Sequence, residues 1–305
     1  MARFGIHGEV IVGFTLHGTG KVSRVHARES TSPAFEEAAI RAVRQWRYET
    51  GLADSSTQMA VPIAFSFQGG EGSDLFFIDV QKDQSKLLPE LRYDTAPKVK
   101  RAVLPVYPYE LRRKNIRGAA RAAFVIDPQG RVAAIRVLSA DQPEFGLALA
   151  AALEGFVFTP ALKDGIPVPH AAVIEQKFTT ADLPDNARDT MLDLESRRPE
   201  RIVSAATLDS QLDPISPRAP IFPRFLPEDL RSGQAVIECI VDQEGFVRLP
   251  RIVSTSHPAF GYAAVQAVTR WVFEVPTVGG KPTATRIRLP FNFQAATIPS
   301  ATARP

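Results

Sequence analysis

The residues with the clearest chemical potential fall in short polar stretches between apolar runs. His17-Gly-Thr-Gly-Lys21 sets a glycine-lysine pair in a loop of the kind whose backbone N–H groups cradle phosphate, and Asp127-Pro-Gln-Gly130 and Asp242-Gln-Glu-Gly245 put a carboxylate near a glycine, as a Ca²⁺ loop does. A Walker A loop, however, needs a glycine five residues before its Gly-Lys pair, where this chain has Thr15, and neither aspartate brings the further oxygen ligands of a calcium loop. Cys239 is the one cysteine, which excludes an internal disulfide framework and a Cys-rich zinc site; it lies in an apolar strand pattern and is expected to be inert. The histidines, His7, His17, His26, His170 and His257, form no pair at the i, i+3 or i+4 spacing of a metal site, and there is no Gly-x-Ser-x-Gly. With no nucleophile–base set and no ligand set, the expectation is a protein that is not an enzyme and takes no cofactor.

Those polar stretches have a simpler meaning once the chain is searched for self-similarity. Gly8, Gly118 and Gly233 each open a run of alternating apolar residues, and twelve positions later stand Gly20, Gly130 and Gly245. EVIVGFTLHGTG, AARAAFVIDPQG and QAVIECIVDQEG are followed by KVSRVHA, RVAAIRVLS and FVRLPRIVS, so each pair predicts a β-hairpin closed by a glycine-bearing turn. Fifteen residues beyond each turn glycine stands Phe35, Phe145 or Phe260, with Pro33, Pro143 or Pro258 two positions earlier, where proline suits the first turn of a helix. From there the apolar residues fall at i, i+4, i+7 and i+11, ending on Trp46, Phe156 and Trp271, which predicts one buried helix face with the tryptophans as core anchors. A third strand follows each helix and ends in Phe67, Phe178 or Phe293. In the second copy Ile174, Gln176 and Phe178 point inward and Val173, Glu175 and Lys177 outward; in the last, Ile287, Leu289, Phe291 and Phe293 alternate with Arg286, Arg288, Pro290 and Asn292.

The fold class expected is therefore α+β: three tandem ββαβ units, each a small three-stranded antiparallel sheet packed on one helix. The units span 1–68, 98–180 and 214–295, with 69–97 and 181–213 as polar linkers, a short strand at Leu75–Val80 in the first of them, and a disordered tail. Copies two and three carry a leader in which Tyr107-Pro108 and Phe222-Pro223 occupy matching places; copy one has none, and is expected not to fold alone. The 305 residues are 45% hydrophobic and 23% charged with a net charge of +3, a soluble globular balance whose basic residues are too scattered to imply nucleic acid. No run approaches the roughly 18 apolar residues of a membrane span, and the first residues open no signal peptide, so the chain is expected to be cytosolic or to lack its leader.

VYP with ELR and a glycine, then FVIDPQGRV, then GFVFTPALKDGIPV, together with VRQWRYETG in the first copy, resemble the C-terminal domain of the TonB energy-transducer family. The likeness covers three segments. It implies a periplasmic, non-enzymatic domain that takes an extended peptide of an outer-membrane receptor or another envelope protein as an added strand. The contacts it implies are Tyr107, Pro108, Phe222 and Pro223, the strand Val173, Ile174, Glu175, Gln176, Lys177 and Phe178, and the strand residues Arg286, Ile287, Arg288, Leu289, Phe291 and Phe293. Main-chain pairing to an exposed sheet edge supplies affinity with little demand on sequence. Pro290 marks its strand as an edge or a bulge, which leaves the proline-free second copy as the better site. The membrane helix and Pro-rich spacer of a transducer are not in this chain, so a multivalent scaffold on peptidoglycan or another envelope protein is the alternative to energy-coupled transport.

Overall fold

A computed structural model describes residues 8–49, 56–65, 76–80, 92–179, 190–227 and 229–295; Phe67, parts of both expected linkers and most of the expected tail lie outside these. The first unit consists of β1 (Gly8–Leu16), β2 (Val22–Ser30), α1 (Glu36–Arg44) and β3 (Thr57–Phe65). Then come β4 (Phe76–Val80), β5 (Lys98–Arg101) and α2 (Tyr109–Arg113). The second unit has β6 (Gly118–Ile126), β7 (Val132–Ala140), α3 (Pro143–Leu153), three short strands β8 (Val157–Thr159), β9 (Ala161–Lys163) and β10 (Ile166–Val168), and β11 (His170–Phe178). After α4 (Thr190–Arg197) and β12 (Ile202–Ser204), the third has β13 (Ser232–Val241), β14 (Val247–Thr255), α5 (Pro258–Val268), a small ribbon of β15 (Thr277–Val278) and β16 (Lys281–Pro282), and β17 (Ala284–Gln294).

The chain is α+β, and each unit centres its first strand between the other two, in the orders β2-β1-β3, β11-β6-β7 and β17-β13-β14. Two expectations need correction. The second and third sheets have four strands, because β4 joins the far side of β11 and β12 the far side of β17. The short strand expected at Leu75–Val80 is β4, whereas α4 and β12 lie in the segment expected as a plain linker, where a helix of eight residues and a strand of three leave too short a pattern to read. The third strand of the first unit also ends differently: Gly8 faces Phe65, as Gly118 faces Phe178 and Gly233 faces Phe293, so Phe65 is the equivalent residue.

The polar stretches are turns. Gly130 has φ 77°, its carbonyl accepts the Phe158 N–H at 2.7 Å, and a Cβ there would lie 2.0 Å from the Phe158 carbonyl oxygen. Tyr48 and Phe273 dock in the same way on Gly20 and Gly245, which explains why a glycine and an aromatic recur at fixed spacing. The Asp127 carboxylate closes its turn by accepting the N–H groups of Gln129 and Arg131, and Asp242 does so with Glu244 and Phe246. The helices end at Arg44, Leu153 and Val268, so Trp46, Phe156 and Trp271 fall just past them rather than on them. Trp46 meets Phe14 edge-on at 6.4 Å and Trp271 meets Phe291 at 5.7 Å, filling the space under the returning chain.

Each core is anchored by a pair of phenylalanines, one from the start of the helix and one from the end of the third strand: Phe35 with Phe65 and Phe145 with Phe178 stack at 5.1 and 4.3 Å, and Phe260 lies tilted against Phe293 at 4.7 Å. The facing glycine leaves room for them; a Cβ on Gly233 would stand 2.1 Å from Phe260 Cε2. The units are docked on one another. Helix α3 packs on α5, with Tyr262 in the core of the second unit, and Gln266 of α5 holds the Leu104 carbonyl and the Val106 N–H. The first unit takes Phe246 and Val272 of the third into its core, and Glu37 and Glu36 pair with Arg248 and Arg270, both at 2.6 Å.

Candidate functional site

A three-stranded sheet offers two outer edges, and here the two differ in kind. On the hairpin side β2, β7 and β14 each lose register twice against their partners, and a non-glycine residue sits at positive φ in each, Arg24 (49°), Ala134 (49°) and Leu249 (46°), four positions after the turn glycine. Bulges of this kind break the row of N–H and C=O groups an incoming strand would need. On the other side β3, β11 and β17 pair with the central strand without any register shift, so their outer edges are straight.

Counting back three residues from the anchoring phenylalanine gives Pro62 in the first unit, Glu175 in the second and Pro290 in the third. Proline has no N–H to donate. Since the ladders to β1 and β13 run unbroken past Pro62 and Pro290, these strands are not bulged there, and the missing donor falls on the outer edge. Only the second unit has a complete donor row at this position. It is also the unit that holds an added strand over five residues: β4 lies antiparallel to β11, with Ala172, Val173, Ile174, Glu175 and Gln176 opposite Val80, Asp79, Ile78, Phe77 and Phe76. Ile78 packs against the core of the second unit. The strand on β17 is shorter and parallel, facing only Ala284, Thr285 and Arg286, well short of Pro290.

The residues singled out from the sequence divide between edge and interior. In β11, Ile174, Gln176 and Phe178 are buried, Glu175 and Lys177 are exposed, and Val173 is half-buried, with the Gln176 side chain donating to the Lys177 carbonyl at 2.7 Å. In β17, Phe291 and Phe293 are buried, Ile287 and Leu289 half-buried, and Arg288 exposed. The aromatic-proline steps do not reach either edge. Tyr107 is buried, lies edge-on to Phe145 and Phe178 at 5.7 and 5.8 Å, and donates its hydroxyl to the Ile116 carbonyl at 2.6 Å; Pro108 beside it is buried and precedes α2. Phe222 meets Phe260 at 5.6 Å and Pro223 is buried. They are lids on the phenylalanine pairs, which is why copy one, with no such lid among the described residues, leaves Phe35 half-buried while Phe145 and Phe260 are fully buried.

Arg286 and Arg288 are likewise committed. Glu238 of β13, on the face of the sheet away from α5, accepts from Arg286, Arg288 and Arg251, and Arg286 also reaches Glu195 of α4 at 2.8 Å. Burial opposes ionisation of Glu238, but those three arginines outweigh it and hold its pKa at about 2. Residues of α4 pack on this face with Ile240, Leu249 and Tyr109, so the segment expected as a linker covers a second core. Cys239 points the opposite way, into the main core of the unit, and burial pushes its pKa up to about 12.

The chain belongs to the family described as Gram-negative bacterial TonB protein C-terminal, whose model matches it three times, over residues 1–67, 103–180 and 218–295. Among solved structures, the solution NMR structure of the Pseudomonas aeruginosa TonB CTD is 28% identical over 28% of this chain and 85% of that chain, with a TM-score of 0.24. No curated protein sequence matches. This is a TonB-like protein with tandem C-terminal domains, of a family of protein-interaction rather than enzymatic domains. No helix among the described residues is long and apolar enough to cross a membrane.

Proposed function

We propose that this protein works in the periplasm, without enzymatic chemistry, by taking extended segments of outer-membrane receptors or other envelope proteins as an added strand on β11. The family membership supports the class of partner, and the observation that carries the site is β4: a five-residue strand already seated, antiparallel, on the one third-strand edge without proline. Strand addition of this kind draws its affinity from main-chain hydrogen bonds, each worth about 0.5–1.5 kcal/mol net, and its selectivity from alternate side chains. The site is Val173 to Lys177, with the stretch Ile287 to Leu289 of β17 weaker because Pro290 interrupts its donors.

An incoming peptide competes with β4, which is tethered to the same chain and so acts at an effective concentration on the order of millimolar. Binding to the intact protein is therefore weak until β4 leaves. The test is an NMR titration of the full chain with N-terminal peptides of outer-membrane receptors, done in parallel on Ile78→Asp, which removes the side chain by which β4 holds to the core. Amide shifts concentrated at Val173 to Phe178, appearing at lower peptide in the variant, are the expected result. Absence of shifts in both proteins at millimolar peptide would remove β11 as a binding edge.

A further inference from the structure

The docking of the three units creates a site that strand addition does not use. Arg101 at the end of β5, Arg218 in the leader of the third unit and Arg270 just after α5 line one small cavity of about 60 Å³, together with Gln266. Each guanidinium is fixed by a partner from a different direction. The Arg101 Nε donates to the Gly155 carbonyl at 3.0 Å, an Arg218 terminal nitrogen donates to the Ala27 carbonyl of β2 at 2.7 Å, and an Arg270 terminal nitrogen pairs with Glu36 of α1 at 2.6 Å. Positioned this way, the forks have donors to spare. The Nε–H groups of Arg218 and Arg270 are buried and meet no acceptor among the described residues.

The charge balance is uneven as well. Among the described residues Glu36 is the one carboxylate paired with any of the three, and it also accepts from Ser30. Glu154 lines the cavity but is committed to Arg224, through its backbone N–H at 2.8 Å and its Nε at 2.9 Å. Burial, and then the charge of Arg270, make Arg101 and Arg218 less basic than usual, the direction expected of cations crowded out of water. Arginine cannot relieve this by losing its proton. What relieves it is an anion.

We infer that the junction of the three units binds an oxyanion, a phosphate or an organic phosphate, seated on Arg101, Arg218 and Arg270. The cavity has room for such a group, since on the same measure a single water needs only about 10–15 Å³. Planar guanidinium forks match the oxygens of such a group, and charge-assisted bonds of this kind are the strong ones. Arg101 also borders a larger cavity of about 590 Å³ whose wall includes Phe156, Phe222, Leu226 and Leu230, so a phosphate carrying a short apolar tail can lay the tail there. Because Arg218 grips β2 and Arg270 grips α1 while Arg101 belongs to the second unit, the bound anion ties all three units into one arrangement.

Calorimetric titration of the full chain with sodium phosphate, and with hexyl phosphate, against sodium chloride at matched ionic strength tests this. Expected is one saturable site per chain, a melting temperature that rises with phosphate and levels off, and a Kd about tenfold or more weaker in Arg101→Gln. Arg270→Lys, which keeps a charge for Glu36 but not the fork, should weaken binding too and serves if the first variant folds poorly. Tighter binding of hexyl phosphate places an organic phosphate across both cavities, and equal binding places free phosphate in the small one. A phosphate effect no larger than that of chloride, or a saturable site unchanged in both variants, overturns the assignment.

Discussion

Glu175→Pro gives the second unit the residue that the first and third carry at the same register. Its effect follows from the neighbours. Pro62 and Pro290 sit in ladders to β1 and β13 that run without a shift, so the amide at this position is not needed on the inner side, and in β11 it faces β4. Proline there removes one N–H and leaves the carbonyl it served on the β4 side, near Phe77, without that donor. The hydrogen bond is worth about 0.5–1.5 kcal/mol net and the stranded acceptor about 1 kcal/mol more at an edge water can reach, together about 2 kcal/mol, or about 30-fold in the equilibrium for releasing β4. Hydrogen exchange followed by mass spectrometry reads this directly: protection at Phe76–Val80 falls about 30-fold and that of Gly118–Ile126 stays. If β6 loses protection equally, the amide faces inward and the edge reasoning fails; if β4 is unchanged, its docking does not depend on main-chain pairing.

Gly233→Ala drives a Cβ to within 2.1 Å of the fully buried Phe260 ring and should cost about 3 kcal/mol in urea unfolding, more than Gly118→Ala, whose nearest contact is 2.8 Å. Glu238 has a folded pKa held at about 2, below its ordinary 4.5, so its stabilisation is full above about pH 4.5 and drains away as the pH falls toward 2. The urea midpoint of the wild type should therefore drop through that window while Glu238→Gln, already weaker, shows a shallower slope; parallel slopes would show that the three arginines do not set its ionisation. Residues 1–70 in isolation should give no cooperative melt, because Phe246 and Val272 of the third unit complete that core and each large apolar side chain is worth roughly 1.5–3 kcal/mol on burial. A sharp thermal transition of that fragment would contradict this.

The repeat was legible because its signals are local and come three times over. Turn glycines twelve residues after the opening glycine, prolines at the helix start and the alternating strands all recur in register, and each has a short-range cause seen in the fold. What escaped is long-range. Phe65 and Phe67 are two apart in sequence, so period-two alternation alone cannot say which is the equivalent residue; the pairing of Gly8 with Phe65 decides it. Tyr107-Pro108 and Phe222-Pro223 look like surface features of a loose motif, yet each covers a phenylalanine pair supplied by residues well over thirty positions further along. The pairing of β4 with β11 joins segments about a hundred residues apart, and nothing in Phe-Phe-Ile-Asp-Val names its partner.

Three copies of one domain suggest three equivalent sites that reinforce one another. The strand chemistry argues otherwise. Edge pairing is a hazard that a tandem array multiplies, because copies held close together are each other's nearest partners. Bulges at Arg24, Ala134 and Leu249 close one edge of every unit, and Pro62 and Pro290 spoil the other edge of two. The second unit alone keeps a full row of donors at this position, and its edge is covered by β4 of the same chain. Under the proposed function, an array built this way is one peptide site flanked by two units whose docking fixes its setting, and the proline that marks the flanking strands is the same device that keeps them from binding one another.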